Sequence, residues 1–274
     1  PVDLPGALSL NSVVINGSRV VGPIIVAVLS QFGVTTAGFF FMNAATYLFV
    51  IFALLRVNIP PLTPDTTQGW RRFTSGISLA REISGVSRLL LTLATFSLFS
   101  LPYVGLFPAV ADVNFGIAED GATYKWLYAT WGLGAALGGL AIGTKFAHHD
   151  QRKLVQYGFV GFAVSMVFFA VSRSAVPAFI FGFILGFAYF FTTTAMSIVV
   201  QSRLQPQVRG RVMSLWFMAF GGTVPLGNMA FGPVIDQYGA RWLLLFGAAW
   251  ALFLAWWCNV SALDAKRGFS ISKQ

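Results

Sequence analysis

Apolar residues run through this chain in blocks of about twenty, separated by short connectors that collect the charges. A helix needs roughly 20 apolar residues to cross a hydrocarbon core of about 30 Å, and eight segments meet that requirement: 8–30, 36–55, 89–111, 123–144, 154–172, 176–200, 211–235 and 241–258. Several connectors are only a few residues long: "QFGVT", "RSAVP" and "DQYGA". Such short links force neighbouring helices to run antiparallel. The blocks are continuous and lack the alternation of a membrane barrel, and backbone groups in lipid must be satisfied internally. The pattern therefore predicts an all-α polytopic membrane protein with about eight transmembrane helices.

Composition agrees: 56% of residues are hydrophobic and 10% charged, with a mean hydropathy of +0.73. A soluble chain carries about a quarter charged residues. The net charge of +9 does not point to nucleic acid, because the basic residues form no single patch; they recur in alternate connectors. Arg56, Arg71, Arg72, Arg81 and Arg88 lie in one, Lys145, Arg152 and Lys153 in the next, Arg203, Arg209 and Arg211 in a third, and Lys266, Arg267 and Lys273 in the tail. The opposite side holds Lys125, Arg173 and Arg241 beside Asp112, Glu119, Asp120 and Asp236. This bias predicts that the basic side, with both ends of the chain, is cytoplasmic, in what would be a bacterial inner membrane. A start at Pro1 with no basic n-region argues against a signal peptide, and the expectation is the back part of a longer protein. Cys258 and the pair His148–His149 make no disulfide framework or metal cluster and read as packing or loop residues. No cofactor is expected.

The long connector 56–88 separates two spans (1–55) from a six-helix half (89–258), with 259–274 as a cytoplasmic tail. Within it Trp70, Phe73, Ile77, Leu79 and Ile83 stand among arginines, as in an amphipathic helix on the cytoplasmic interface; a solvated basic linker is the alternative. Gly134 and Gly138, Gly139 and Gly143, and Gly182 and Gly186 are each four apart, the spacing that lets helices pack closely. The sequons at Asn16 and Asn259 fall in a span and at a cytoplasmic end, and are expected to stay unmodified.

One helical face of the first block carries Ser12, Asn16, Arg19 and Pro23 at spacings of four, three and four. A guanidinium at mid-bilayer is expensive, about 2.5–3.5 kcal/mol on insertion scales. Pro23 cannot donate to the Arg19 carbonyl four residues earlier, and Gly22 beside it permits a bend. Charge, free backbone polarity and a kink on one face mark a cavity wall. Structural pairing of Arg19 with a carboxylate on another helix is the alternative, while its central depth disfavours snorkelling.

Two spans, a long basic cytoplasmic loop and six spans resemble a major facilitator superfamily transporter from its fifth to its twelfth helix, with the first four missing from a twelve-helix fold. "NGSRVVGPIIVAV" is similar to the superfamily's fifth-helix antiporter motif centred on Gly-Pro, here Gly22–Pro23, with Val26 and Ala27 where the pattern has a Gly pair. "AALGGLAIGTKFAHH" and "QSRLQPQVRGRVMSLWFMAFGGTVPLGNMAFGPVIDQYG", which includes Arg209-Gly210-Arg211, resemble the exporter subgroup that contains enterobactin exporters and macrolide efflux proteins. "GTKFAHHDQRK" occupies the place of the superfamily's cytoplasmic gating motif. There Asp150 is paired in expectation with Arg152 or Arg209, against the alternative of an ordinary solvated loop.

The resemblance implies a secondary active, proton-coupled exporter, monomeric when complete, whose substrate sits near the midplane between rocking halves. Candidate contacts on this chain are Asn43, Tyr47, Tyr103, Tyr189 and Thr193 beside the Arg19 stripe, although aromatics at helical spacing also serve as packing. Aromatic walls with few hydrogen-bonding groups favour a small amphiphilic molecule such as a drug, macrolide or siderophore. No carboxylate lies at mid-span, so the proton-carrying group is expected in the missing helices. No phosphate-binding Gly-rich loop supports ATP-driven transport, and no catalytic constellation within the spans supports an enzyme. A non-transporting fragment or sensor module is the alternative.

Overall fold

The computed structural model describes residues 18, 21–22, 25–26, 28–57, 70–83 and 85–259. The elements among them are all helical: α1 (Thr36–Arg56), α2 (Trp70–Glu82), α3 (Val86–Phe99), α4 (Pro102–Gly105), α5 (Phe107–Phe115), α6 (Ala122–Gly143), α7 (Gln151–Val171), α8 (Ala175–Ser202), α9 (Pro206–Phe217), a π turn (Met218–Gly222), α10 (Thr223–Tyr238) and α11 (Ala240–Trp257). Most of the predicted span 8–30 and of the tail 259–274 falls outside the described residues.

α1 begins where Thr35 Oγ1 accepts a hydrogen bond from the Gly38 amide at 3.3 Å and has no buried residue. Phe40, Phe41, Leu48 and Phe49 are all largely exposed. A helix apolar all round is built for hydrocarbon rather than for water. Among the described residues, α1, α7, α8 and α11 are each long and apolar enough to cross a membrane. The other predicted spans depart from that pattern for visible reasons. α6 is long enough at 22 residues, but its glycines, tyrosines and tryptophans dilute its hydropathy. Block 89–111 is three pieces, α3, α4 and α5, and block 211–235 is interrupted by the π turn.

Helices α3 to α11 share one apolar core. α6 packs along α8, α8 along α7, and α7 along α11. Phe96, Tyr103, Phe107, Phe159, Phe162 and Phe169 are fully buried in it. Phe96 meets Phe159 and Phe162 edge to face, at centroid distances of 5.1 and 4.9 Å, the arrangement that ring quadrupoles favour. Glycines permit the closest approaches: a Cβ at Gly134 or Gly138 would fall onto the carbonyls of Phe183 and Phe187, and one at Gly186 onto that of Trp131. The spacing argument holds for these three. It fails for Gly143, which has open space around it, and Gly182 meets the side chains of Phe169 and Leu127 rather than backbone.

The interruptions have covalent causes. Pro102 stands at the start of α4 and Pro108 in the first turn of α5, places where the missing N–H does no harm but where a helix arriving from upstream must break. Ser100 Oγ at the first break donates to the Gly247 carbonyl at 2.8 Å, tying it to α11. Polar side chains also close helix ends across the core. Asn114 Nδ2 and Arg241 Nε both donate to the Ala170 carbonyl near the end of α7, each at 3.1 Å, satisfying an orphan acceptor.

Between Gly76–Glu82 of α2 and the axis of α3 the chain turns by 116°. Gly76 lies against the Arg211 carbonyl and Leu215 of α9, Ala80 is buried, and Leu79 and Ile83 pack on the core. α2 therefore crosses the end of the bundle with Gly76, Leu79, Ala80 and Ile83 toward it. Arg88, just past the turn, places its guanidinium 4.3 Å from the centroid of the Trp257 ring, joining the start of α3 to the end of α11.

Candidate substrate path and gate

Tyr103, Tyr189 and Thr193 come together through a residue the sequence did not single out. Tyr103 on α4 is 0% exposed and Tyr189 on α8 is 4% exposed. Trp131 of α6 lies between them. Its indole Nε1 donates to Tyr103 Oη at 3.2 Å, while its ring stacks on Tyr189 at 6.0 Å and 23°. Thr193 is buried too, and its Oγ1 donates to the Tyr189 carbonyl one turn back at 3.1 Å. These three candidates thus sit inside the core in this arrangement, with internal partners.

Asn43 and Tyr47 are one turn apart on α1 and exposed, Tyr47 by 58%. Asn43 offers its carbonyl to Thr46 Oγ1 at 2.7 Å. Ser12, Asn16, Arg19 and Pro23 lie outside the described residues. Gly22 is described: it is helical, and nothing stands within 4 Å of where its Cβ would be.

The expected gate is a tight local pair. Asp150 caps α7, its Oδ1 accepting from the Arg152 amide at 3.0 Å. The same carboxylate takes Arg152 Nε on Oδ1 and Nη2 on Oδ2, each at 2.9 Å. A two-point carboxylate–guanidinium contact is geometrically specific. These hydrogen bonds from Arg152, rather than charge alone, hold the Asp150 carboxyl below its ordinary value of 3.8, against partial burial that pushes it up. Arg209 is exposed and Arg211 half-buried in the first turns of α9, where the Arg211 carbonyl faces Gly76 of α2.

Two further features escaped sequence reasoning. α9 and α10 are joined by five residues of π-helix, Met218–Gly222, a rare form that is frequent at functional sites. Beside it the broken block 89–111 and α10 fit closely. A Cβ at Gly227 would strike the Leu98 carbonyl and Pro102, Asn228 fills the space over Gly105, and Thr223 Oγ1 donates to the Ala94 carbonyl at 3.2 Å. Asn228 Oδ1 is buried there with no hydrogen-bond partner. The glycines of "FGGTVPLGN" were the available signal. The second feature is a set of stacked rings on α6, Tyr124, Tyr128 and Trp131, whose spacing of four and three marks one helical face.

Compared with known families, residues 2–267 match the model described as transmembrane secretion effector. No curated protein matches the chain.

Proposed function

We propose that this chain, which belongs to the transmembrane secretion effector family of the major facilitator superfamily, is a secondary active exporter that moves a small amphiphilic molecule by alternating access. Family membership makes it a multi-pass membrane transporter; the cargo class, the outward direction and proton coupling are what the proposal adds. The observation that carries it is the contact between two interrupted helices. The break at Ser100–Leu101 and the π turn at Met218–Gly222 flank a close fit of Gly227 on Leu98 and Pro102. Interrupted spans expose backbone polarity within the membrane and allow one part of a bundle to bend against another, and transporters place their sites at such points. The surrounding side chains are aromatic and aliphatic, as suits an amphiphilic cargo.

In this reading the basic connectors face the cytoplasm, and the Asp150–Arg152 pair belongs to the gate there. Arg19 and its polar stripe line the path. Asp112 and Asp236 sit near the ends of α5 and α10, so a mid-span proton carrier is not among the described residues.

The test is efflux from cells stripped of their own pumps, using a panel of amphiphilic compounds with and without a protonophore. The parent is expected to export part of the panel and to lose that export when the proton gradient collapses. Arg19→Ala, at equal membrane abundance, is expected to export about tenfold less, the scale of removing one charge-assisted contact. Export that survives the protonophore would remove proton coupling; export unchanged in Arg19→Ala would make that residue structural.

A further inference from the structure

Arg88 stands where neither its helix nor its neighbours provide for a cation. It lies in the first turn of α3, at the positive end of the helix dipole, which disfavours a positive side chain. Its Nε is buried with no hydrogen-bond partner, and an unsatisfied buried donor is costly, more so when it is charged. Two described carboxylates at this end of the body are engaged elsewhere: Asp150 holds Arg152, and Glu82 accepts from Ser78 Oγ at 3.1 Å. What the Arg88 guanidinium does touch is a ring, that of Trp257, at 4.3 Å from its centroid.

A second cation stands close by. Arg203 is the C-cap of α8, and α8 packs on α3. The Cys258 thiol is buried at the end of α11, near enough to Arg88 and to Arg203 for each charge to act on it. The start of α3 and the ends of α8 and α11 thus gather two half-buried arginines around one corner. From that corner an aromatic ladder runs along α11 beside α3. Trp257 stacks on Phe253 at 6.0 Å and 27°, Phe253 meets Trp250 at 5.2 Å, and Trp250 closes on Phe99 of α3 at 4.7 Å. Phe253 and Trp256 on α11 are exposed, as is Leu91, one turn along α3 from Arg88. α8 and α11 are long and apolar enough to span a membrane, so these exposed side chains meet hydrocarbon. Trp257 and the two arginines then lie at the membrane surface, where tryptophans gather.

We propose that the corner formed by Arg88, Arg203 and Trp257 binds the headgroup of an anionic phospholipid, with its phosphate on the guanidiniums and an acyl chain along Phe253 and Leu91. A phosphate takes guanidinium donors in a two-point contact, and basic pockets between helix ends at a membrane surface hold anionic headgroups. A soluble anion would use the arginines and leave the ladder idle; a lipid uses both. The site needs only that these helix ends lie at a membrane surface, and it stands whether or not the chain exports.

The test titrates the purified protein in a neutral detergent with phosphatidylglycerol, or with phosphatidylcholine, whose choline offsets the phosphate charge, and counts bound lipid by native mass spectrometry. Phosphatidylglycerol is expected to bind at least about tenfold more tightly, and inorganic phosphate to displace it only at concentrations about a hundredfold higher or more. Arg88→Gln and Arg203→Gln should each narrow the preference about fivefold, the worth of one basic residue at an anionic surface. Arg88→Lys, which keeps the charge and loses the fork, should fall between Arg88→Gln and the parent. Arg56→Gln removes another guanidinium that lies over a ring, Phe52 at 4.5 Å, and should bind as the parent does. The preference is a ratio within one preparation, so a variant that folds poorly lowers both lipids and leaves the ratio readable. Equal affinity of the parent for the two lipids, or a preference unchanged in both Gln variants at the corner, overturns the site. Displacement by inorganic phosphate at the lipid's own concentration overturns the lipid assignment and makes the corner a site for a soluble anion.

Discussion

At Gly134 a side chain would have to occupy the volume of the Phe183 carbonyl, and at Gly138 that of Phe187, so the α6–α8 contact is set by two missing methyl groups. Backbone cannot swing aside as a side-chain tip can. Gly134→Val is therefore expected to destabilise the protein by more than the roughly 1–3 kcal/mol typical of an overpacked core, read as a lower thermal midpoint and a poorer folded yield in detergent. Gly143→Ala, at a position with open space, should be neutral or stabilising by up to about 1 kcal/mol, because Ala is the better helix former. Equal losses at both positions would mean that the packing does not distinguish them. Asp150 supplies a second residue-scale case. As the N-cap of α7, its replacement by Ala should cost about 0.5–2 kcal/mol. Its carboxyl is held below 3.8 in the folded protein by hydrogen bonds from Arg152. The stability it adds is thus complete above the ordinary carboxyl value and is lost as pH falls through the lowered folded one. Asp150→Asn keeps a capping oxygen and no titration, so parent and Asn variant should differ most in thermal midpoint above the ordinary value of 3.8 and converge as pH falls below it. A constant difference across that range would remove the ionised pair as the cause.

Within the elements, the long apolar blocks were legible because continuous hydropathy and very short connectors leave a helix little choice: α7, α8 and α11 fall where the pattern placed spans. The amphipathic segment was legible as a helix; of its described side chains Leu79 and Ile83 pack on the core, with Gly76 and Ala80 buried beside them. The internal breaks were only half visible. Pro102 announced one, but a π turn has no composition of its own; Gly221 and Gly222 permit it, and packing against α3 decides it. Among site residues, Tyr103 and Tyr189 were found as aromatics, yet their burial was not, since period alone does not say which face of a membrane helix meets protein and which meets lipid. Trp131 was missed for the same reason. The π turn gives an element-scale prediction. Deleting Gly222 removes the extra residue and lets α9 continue into α10 as plain α-helix, with flanking contacts such as Thr223 to Ala94 kept near their places. The variant is expected to fold with a thermal midpoint close to the parent's and to transport about tenfold less in proteoliposomes. Full transport would make the π turn a packing accident.

For the molecule as a whole, the question is which way it sits. The Lys145–Lys153 loop, the start of α9 and the α2 segment gather at one end of the helical body, and the 116–121 loop with Glu119 and Asp120 lies at the other. A membrane crossed in alternate directions by α6, α7 and α8 must present these two loops to opposite compartments, and the proposal that the lysine- and arginine-rich one is cytoplasmic can be tested on them. His148 and Ala118 are exposed residues of the two loops. Cys258, the chain's single cysteine, is 0% exposed, so thiol labelling of the parent should be weak and each introduced cysteine should report alone. In intact cells a membrane-impermeant maleimide is expected to label Ala118→Cys and to spare His148→Cys; in inverted vesicles the order should reverse. Labelling of His148→Cys from outside would turn the molecule over, placing the Asp150–Arg152 pair at the outer mouth and giving the substrate path the opposite sense. Labelling of both from one side would break the alternation itself, and with it the reading of α6 as a crossing helix.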